Sequence, residues 1–348
     1  MNEVISKKIG EKEQTTRIAW VDVARGIAFL AVIYSHLKSS CEPMYVSRID
    51  ILLRPMFLTT FFFVSGYLFK SGRSFSSVFE QRTRTLLWPL LSLGSIMIVL
   101  QHIFTFRDAP LSWADGFKGL LLQNGENEIL WFIAALYIYS LAFYWIERFS
   151  KQHILVVSLG LFVLNWLYGY ILNGPNLPWN ISAMGYGCAY MGMGRWYRIH
   201  ESEYKTVKTY ITIGGILVLW IVLEIMGDAP SFFASEYLVD ALLITVVALI
   251  LTVAFSKIPQ VSRDKFLVFI GANSLFYFAF HGKVLALVSV ITMKLLNILP
   301  ISPVLLAIMG VICTILCALI LVPFAMVVNK YLPWLLGKGF KLWKTKKQ

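Results

Sequence analysis

Ten stretches of this chain are apolar over lengths that match the hydrocarbon core of a bilayer: 18–37, 51–69, 86–105, 129–147, 153–172, 179–197, 209–227, 236–256, 267–293 and 303–328. A core of about 30 Å takes about 20 helical residues to cross. In lipid the backbone must satisfy its own polar groups, and apolar stretches of this length do so as helices. The expected fold is an all-α membrane protein of about ten transmembrane helices. Charged residues make up 14% of the 348 positions, against about 25% in an average soluble domain. Mean hydropathy is +0.69. A short polar segment (1–17) therefore precedes a ten-helix unit (18–328), and a basic tail (329–348) follows. No repeat or low-complexity tract interrupts them.

Charge distribution gives the direction of crossing. If both termini are cytoplasmic, the inner segments hold 23 of the 31 Lys and Arg residues and the outer segments 6, with Arg25 and Lys283 inside spans. Every inner segment is cationic, as cytoplasmic loops are. The net charge of +12 is then topological, and no nucleic-acid partner is expected, because no basic segment is interleaved with base-stacking aromatics. The chain is expected to reside in the cell membrane as a multi-pass protein. The first apolar run lacks a small-residue cleavage site and reads as a retained helix. Cys41, Cys188, Cys313 and Cys317 have neither disulfide-framework nor zinc spacing. Cys313 and Cys317, one turn apart, read as packing residues. No metal-ligand cluster, Ser-His-Asp arrangement or phosphate loop is present.

Ionisable groups inside a membrane span are costly and point to function. The first span carries Asp22, Arg25 and His36. Eleven residues are about three turns, so Arg25 and His36 share one face, roughly 16 Å apart. Asp22 lies one turn before Arg25 and can pair with it. A cation at one end of a face and a titratable imidazole at the other suit an elongated ligand. An acyl-coenzyme A thioester has that form, with phosphates at one end and the reactive carbonyl at the other. Taken singly, a snorkelling Arg25 and a solvated His36 are the alternatives. The first inner loop adds Arg73, Arg82 and Arg84, whose guanidinium forks suit phosphate oxygens. Glu128, Trp131 and His281 lie toward outer ends. Glu128 is a candidate to fix the tautomer of His36 or to bind a sugar hydroxyl.

Several segments resemble one family: RIAWVDVARGIAFLAVIYSH (17–36), FFFVSGYLF (61–69), RTRTLLWPLL (82–91), EILWFIAALY (128–137), LPWNISAMGYGCAYMGMGRW (177–196) and FIGANSLFYFAFHG (269–282). Together they resemble the membrane-bound acyltransferase-3 family, within it the fucose 4-O-acetylase-like branch. The resemblance implies transfer of an acyl group, most often acetyl, from cytoplasmic acyl-CoA to a hydroxyl of an extracytoplasmic sugar, glycan or glycolipid. It implies acyl-CoA as donor substrate, no tightly bound cofactor, and a bacterial plasma membrane as the setting. It points to Arg25 and His36 as required residues and to Arg82 in a basic loop motif. With the residues read above, the candidate catalytic residues are His36, Arg25, Asp22 and Glu128, and the candidate donor-binding residues Arg25, Arg82, Arg84 and Arg73. Trp131, His281, Ser274 and Tyr277 are candidates for the acceptor. The sequence departs from the family's Arg-x-x-Arg loop motif: Arg82 is followed at the fourth position by Thr85, with Arg84 beside it. The rival expectation is a transporter or flippase for a lipid-linked sugar or small solute. Oligomeric state is not legible in the sequence.

Overall fold

The computed structural model describes residues 18–46, 49–50, 53–104, 112–122, 130–150, 153–202, 214–215, 238–296 and 302–339, and all regular structure among them is helical. Leaving aside one-turn segments, the helices are α1 (Ala19–Ser35), α2 (Phe57–Tyr67), α3 (Phe75–Arg82), α4 (Trp88–Phe104), α5 (Trp113–Leu122), α6 (Trp131–Ser150), α7 (Ile154–Trp166), α8 (Met184–His200), α9 (Leu238–Ser256), α10 (Lys265–Ala272), α11 (Ser274–Leu296) and α12 (Pro303–Tyr331). A wide π-turn, Thr83–Leu87, joins α3 to α4.

Among the described residues, five helical runs are long and apolar enough to cross a membrane: Ala19–Ser40, Phe75–Ile103, Ile154–Ile171, Ser274–Lys294 and Pro303–Tyr331. Phe57–Tyr67 and Thr245–Ser256 are apolar and shorter. The expected stretches 129–147 and 179–197 are helical as α6 and α8. The hydropathy of α6 is lowered by Tyr137, Tyr139, Tyr144 and Trp145 and by Glu147 and Arg148 near its end, and α8 has only 17 residues. Of the expected stretch 209–227, only 214–215 fall among the described residues.

Small residues set the central crossings. Gly26 of α1 faces the backbone carbonyl of Leu267, and Gly271 of α10 faces that of Asp22. A Cβ on either glycine would overlap the opposite backbone. The same reciprocal arrangement joins α2 to α8, with Gly66 against Met191 and Gly194 against Phe63. Between apolar helices in lipid, such close approach replaces the hydrophobic drive that water supplies elsewhere. It places α1 inside the bundle, against α2, α9, α10, α11 and α12. Ser302 caps α12 by accepting from the Leu305 amide at 3.2 Å, and Asp264 caps α10 by accepting from Leu267 at 2.8 Å. Cys313 and Cys317 are fully buried free thiols. Cys317 packs on the carbonyl of His281, with Sγ at 3.5 Å.

Candidate active site

Because α1 is unbroken from Ala19 to Ser35 and His36 caps it, the face read from the sequence exists as one surface with two chemically different ends. At the first end Asp22 is buried and its carboxylate lies 3.9 Å from the Arg25 guanidinium. Arg82 is half-buried and within electrostatic reach of both Arg25 and Arg73. Arg73 is held in place by the Ser77 hydroxyl at 2.6 Å, the Ser77 carbonyl at 3.1 Å and the Gln81 side chain. Three guanidinium groups drawn together repel one another. Such a cluster is a ready receptor for a polyanion, and guanidinium is the side-chain group best matched to phosphate oxygens.

The π-turn follows Arg82 and contains Arg84. Its wide winding breaks the 3.6-residue register after Arg82, and turns of this kind recur at functional sites. The Thr83 and Tyr137 hydroxyls meet at 3.1 Å. The Arg84 backbone lies instead under a C-terminal turn (Pro333–Leu336), where Gly337 at φ +68° rests on its carbonyl. That turn is pinned by the Trp88 indole, which donates to the Trp334 carbonyl at 2.8 Å, and by the Ser92 hydroxyl, which donates to Leu335 at 2.7 Å. Thr85, at the fourth motif position, donates its hydroxyl to the Gln81 carbonyl of its own helix at 2.9 Å. The partners of Arg82 at this end are thus Arg25 and Arg73. A second network anchors the preceding loop: Ser71 donates to Glu147, and Arg195 donates to Ser71 at 2.5 Å while its Nε stands 3.5 Å from Glu147.

Between the two ends the face carries Phe29, fully buried. Its ring meets Phe278 at 4.9 Å, His281 at 5.3 Å and Tyr277 at 5.6 Å. Phe61 and Phe132 extend the layer, each about 5 Å from Phe278. These edge-on and stacked contacts form a continuous aromatic stratum.

At the far end the His36 and His281 rings lie 5.0 Å apart, tilted by 58°. His281 is buried, and its Nδ1 is 2.9 Å from the Tyr277 carbonyl and 3.1 Å from that of Phe278. Two carbonyls at one nitrogen assign the proton to Nδ1. Nε2 is then a lone pair, buried and without a hydrogen-bond partner among the described residues. His36 itself is exposed. The carboxylate whose field acts on it is Asp50, from the short segment folded over the end of α1. That segment is tied down where the Val46 amide donates to the Tyr34 hydroxyl at 3.2 Å. Burial, and then Asp50, push the Tyr45 phenol up to about 12, so it remains a neutral donor to Asp50, at 2.7 Å.

A family model described as an acyltransferase domain, Acyl_transf_3, matches residues 18–322. The chain belongs to the acyltransferase-3 family. No curated protein and no solved structure gave a significant match. The matched region runs from the start of α1 into α12 and includes both clusters. An acyltransferase-3 domain carried on long apolar helices makes the protein a membrane acyltransferase.

Two acceptor candidates fall elsewhere in this acyltransferase-3 structure. Ser274 stands seven residues before His281, about 10 Å along a helix, next to the α1–α10 crossing at Asp22, and so lies toward the arginine end. Tyr277 is fully buried and spends its hydroxyl on the Ala318 carbonyl of α12 at 2.9 Å. Trp131 opens α6, half-buried and edge-on to Phe132 of the aromatic layer. Glu128 lies outside the described residues. Asp50 and Tyr45 were missed because they sit between apolar stretches. The signal available was Asp50 and Arg54, an acid and a base four residues apart at the mouth of the first span.

Proposed function

We propose that this membrane acyltransferase is an O-acyltransferase of the fucose 4-O-acetylase-like kind. It moves an acyl group, in the first instance acetyl, from cytoplasmic acyl-CoA to a hydroxyl of an extracytoplasmic sugar, glycan or glycolipid. The observation that carries this reading is a three-arginine cluster gathered at one end of the α1 face and a histidine pair at the other. Arg25, Arg82 and Arg73 receive the donor's phosphates, with Arg84 supporting the turn behind them. The pantetheine arm runs along α1 and brings the thioester to His36. The unprotonated nitrogen of His36 takes the proton from the acceptor hydroxyl as its oxygen attacks the thioester carbonyl. The C–S bond breaks, the CoA thiolate takes up the proton from His36, and an ester remains. General-base assistance of this kind is worth about 10²- to 10⁴-fold. His281 offers only an acceptor nitrogen, so it favours the His36 tautomer that directs N–H toward it and the lone pair toward the acceptor. An acyl-His36 intermediate would use the same lone pair.

The topology in this reading is ten crossings with both termini cytoplasmic, in a bacterial plasma membrane, which agrees with the excess of Lys and Arg in the inner segments. No tightly bound cofactor is needed. The test is His36→Ala, which should insert and fold yet lose acyl transfer by at least about 10²-fold, measured as CoA release and labelled ester from labelled acetyl-CoA. Normal turnover would refute the assignment. Movement of a lipid-linked sugar across vesicles without CoA release would instead favour a transporter.

A further inference from the structure

We propose that Asp50 binds the acceptor, presenting its free carboxylate oxygen to a hydroxyl of a neutral polyhydroxyl compound beside His36. The inference rests on the acyl-transfer reading and names the acceptor chemistry that reading takes. Asp50 is 1% exposed. Its Oδ2 accepts from the Tyr45 hydroxyl at 2.7 Å, from Arg54 Nε at 2.9 Å and from Arg54 Nη2. Its Oδ1 is buried and has no hydrogen-bond partner among the described residues. A carboxylate fixed on one side by two donor residues and left empty on the other is preorganised for a ligand, because its desolvation is already complete before the ligand arrives.

The neighbourhood limits what that ligand is. Asp50 acts electrostatically on His36 and Tyr34, and the segment that carries it is tied to the same end of α1 by the Val46–Tyr34 hydrogen bond and by Tyr45, so the carboxylate stands near the His36 mouth. His281 Nε2 faces the His36 ring, which leaves the Asp50 oxygen and the His36 lone pair to meet the ligand. Two acceptors side by side call for adjacent O–H donors, as on a pyranose ring. The Arg54 charge is already spent on Oδ2, so a uronate or phosphate group would meet an uncompensated carboxylate oxygen. Asp50 accepts a hydrogen bond from the hydroxyl beside the reacting one. His36 alone takes the reacting proton, and none passes to Asp50.

Asp50→Asn is the discriminating change. Tyr45 and Arg54 both donate and will hold the amide oxygen, so the NH₂ group turns toward the site and an acceptor becomes a donor. The full chain in nanodiscs is supplied with labelled acetyl-CoA and methyl α-glucopyranoside or methyl α-glucuronoside as probes. The expected result is ester on the glucoside in preference to the glucuronoside, with the glucoside KM raised about tenfold in Asp50→Asn, the factor carried by one charge-assisted hydrogen bond. The KM for acetyl-CoA should stay within about twofold, since the donor's phosphates bind roughly 16 Å away along α1. An unchanged glucoside KM, or a parallel rise in both KM values, would overturn the proposal. Equal use of the glucuronoside, or CoA release with no probe ester, would overturn the acceptor class while leaving acyl transfer standing. A wild-type protein that releases no CoA fails the underlying reading itself. If Asp50→Asn does not fold, the wild type still decides: the glucoside, and not the glucuronoside, should slow modification of His36 by diethyl pyrocarbonate, and no protection refutes the proposal.

Discussion

At the scale of single residues, the arginines are not equivalent. Arg82 shares its end of α1 with Arg25 and Arg73, whereas the Arg84 backbone supports the C-terminal turn through its contact with Gly337. Arg82→Ala is therefore expected to raise the KM for acyl-CoA more than Arg84→Ala does, and added salt should narrow the difference, because the lost contacts are ionic. Equal effects of the two changes, measured at low and high salt, would move the phosphate site. The sequence offered both arginines as donor-binding residues, Arg82 as the first of the loop motif and Arg84 beside its altered fourth position. The distinction arises at the π-turn that follows Arg82 and contains Arg84, which no residue pattern announced. By contrast the Asp22, Arg25 and His36 face was fully legible, because helical periodicity depends only on spacing. Asp50 was not, because its approach to His36 depends on how the segment after α1 folds back. The partner of the Tyr277 hydroxyl was hidden for a related reason: it is the Ala318 carbonyl, 41 residues away and invisible to local pattern.

At the scale of elements, the site stands on two glycine crossings. Gly26 and Gly271 let α1 and α10 approach to backbone contact, and Gly66 and Gly194 do the same for α2 and α8. These glycines were legible as packing residues for the α8 segment, where Gly192 and Gly194 recur in a span. The partner of Gly26 was not, because it lies on a helix some 240 residues later. Gly271→Val is expected to push α10 away from Asp22 and destabilise the protein by about 1–3 kcal/mol or more, the usual cost of overpacking. The thermal midpoint in detergent should fall, and donor KM should rise as Arg25 shifts. A variant with wild-type midpoint and kinetics would show that the crossing tolerates a side chain.

At the scale of the whole molecule, a latch closes the arginine end. Lys257, just beyond α9, donates to Glu201 at 2.7 Å and to the Tyr197 hydroxyl at 2.5 Å, and stands over the Trp20 ring of α1 at 4.9 Å. Tyr67, at the end of α2, donates to Glu201 at 2.6 Å, and Arg198 pairs with Glu201 at 3.2 Å. Groups from α2, α8 and the end of α9 meet on one carboxylate, and Lys257 links it to α1. Burial raises the Glu201 carboxyl, but hydrogen bonds from Lys257 and Tyr67 and the charges of Lys257 and Arg198 outweigh it and hold it below its ordinary 4.5. A depressed folded value means that the latch stabilises fully above about pH 4.5 and weakens as pH falls through that lower value. The thermal midpoint should be level from neutral pH to about 5 and drop below 4.5, and Glu201→Gln should flatten the profile. The stratum of Phe29, Phe61, Phe132 and Phe278 has a different consequence. Arginines at one end of an apolar helix and imidazoles at the other mark out a path for charge along α1. The packed rings put apolar surface on that path and raise the cost of carrying a bare ion along α1.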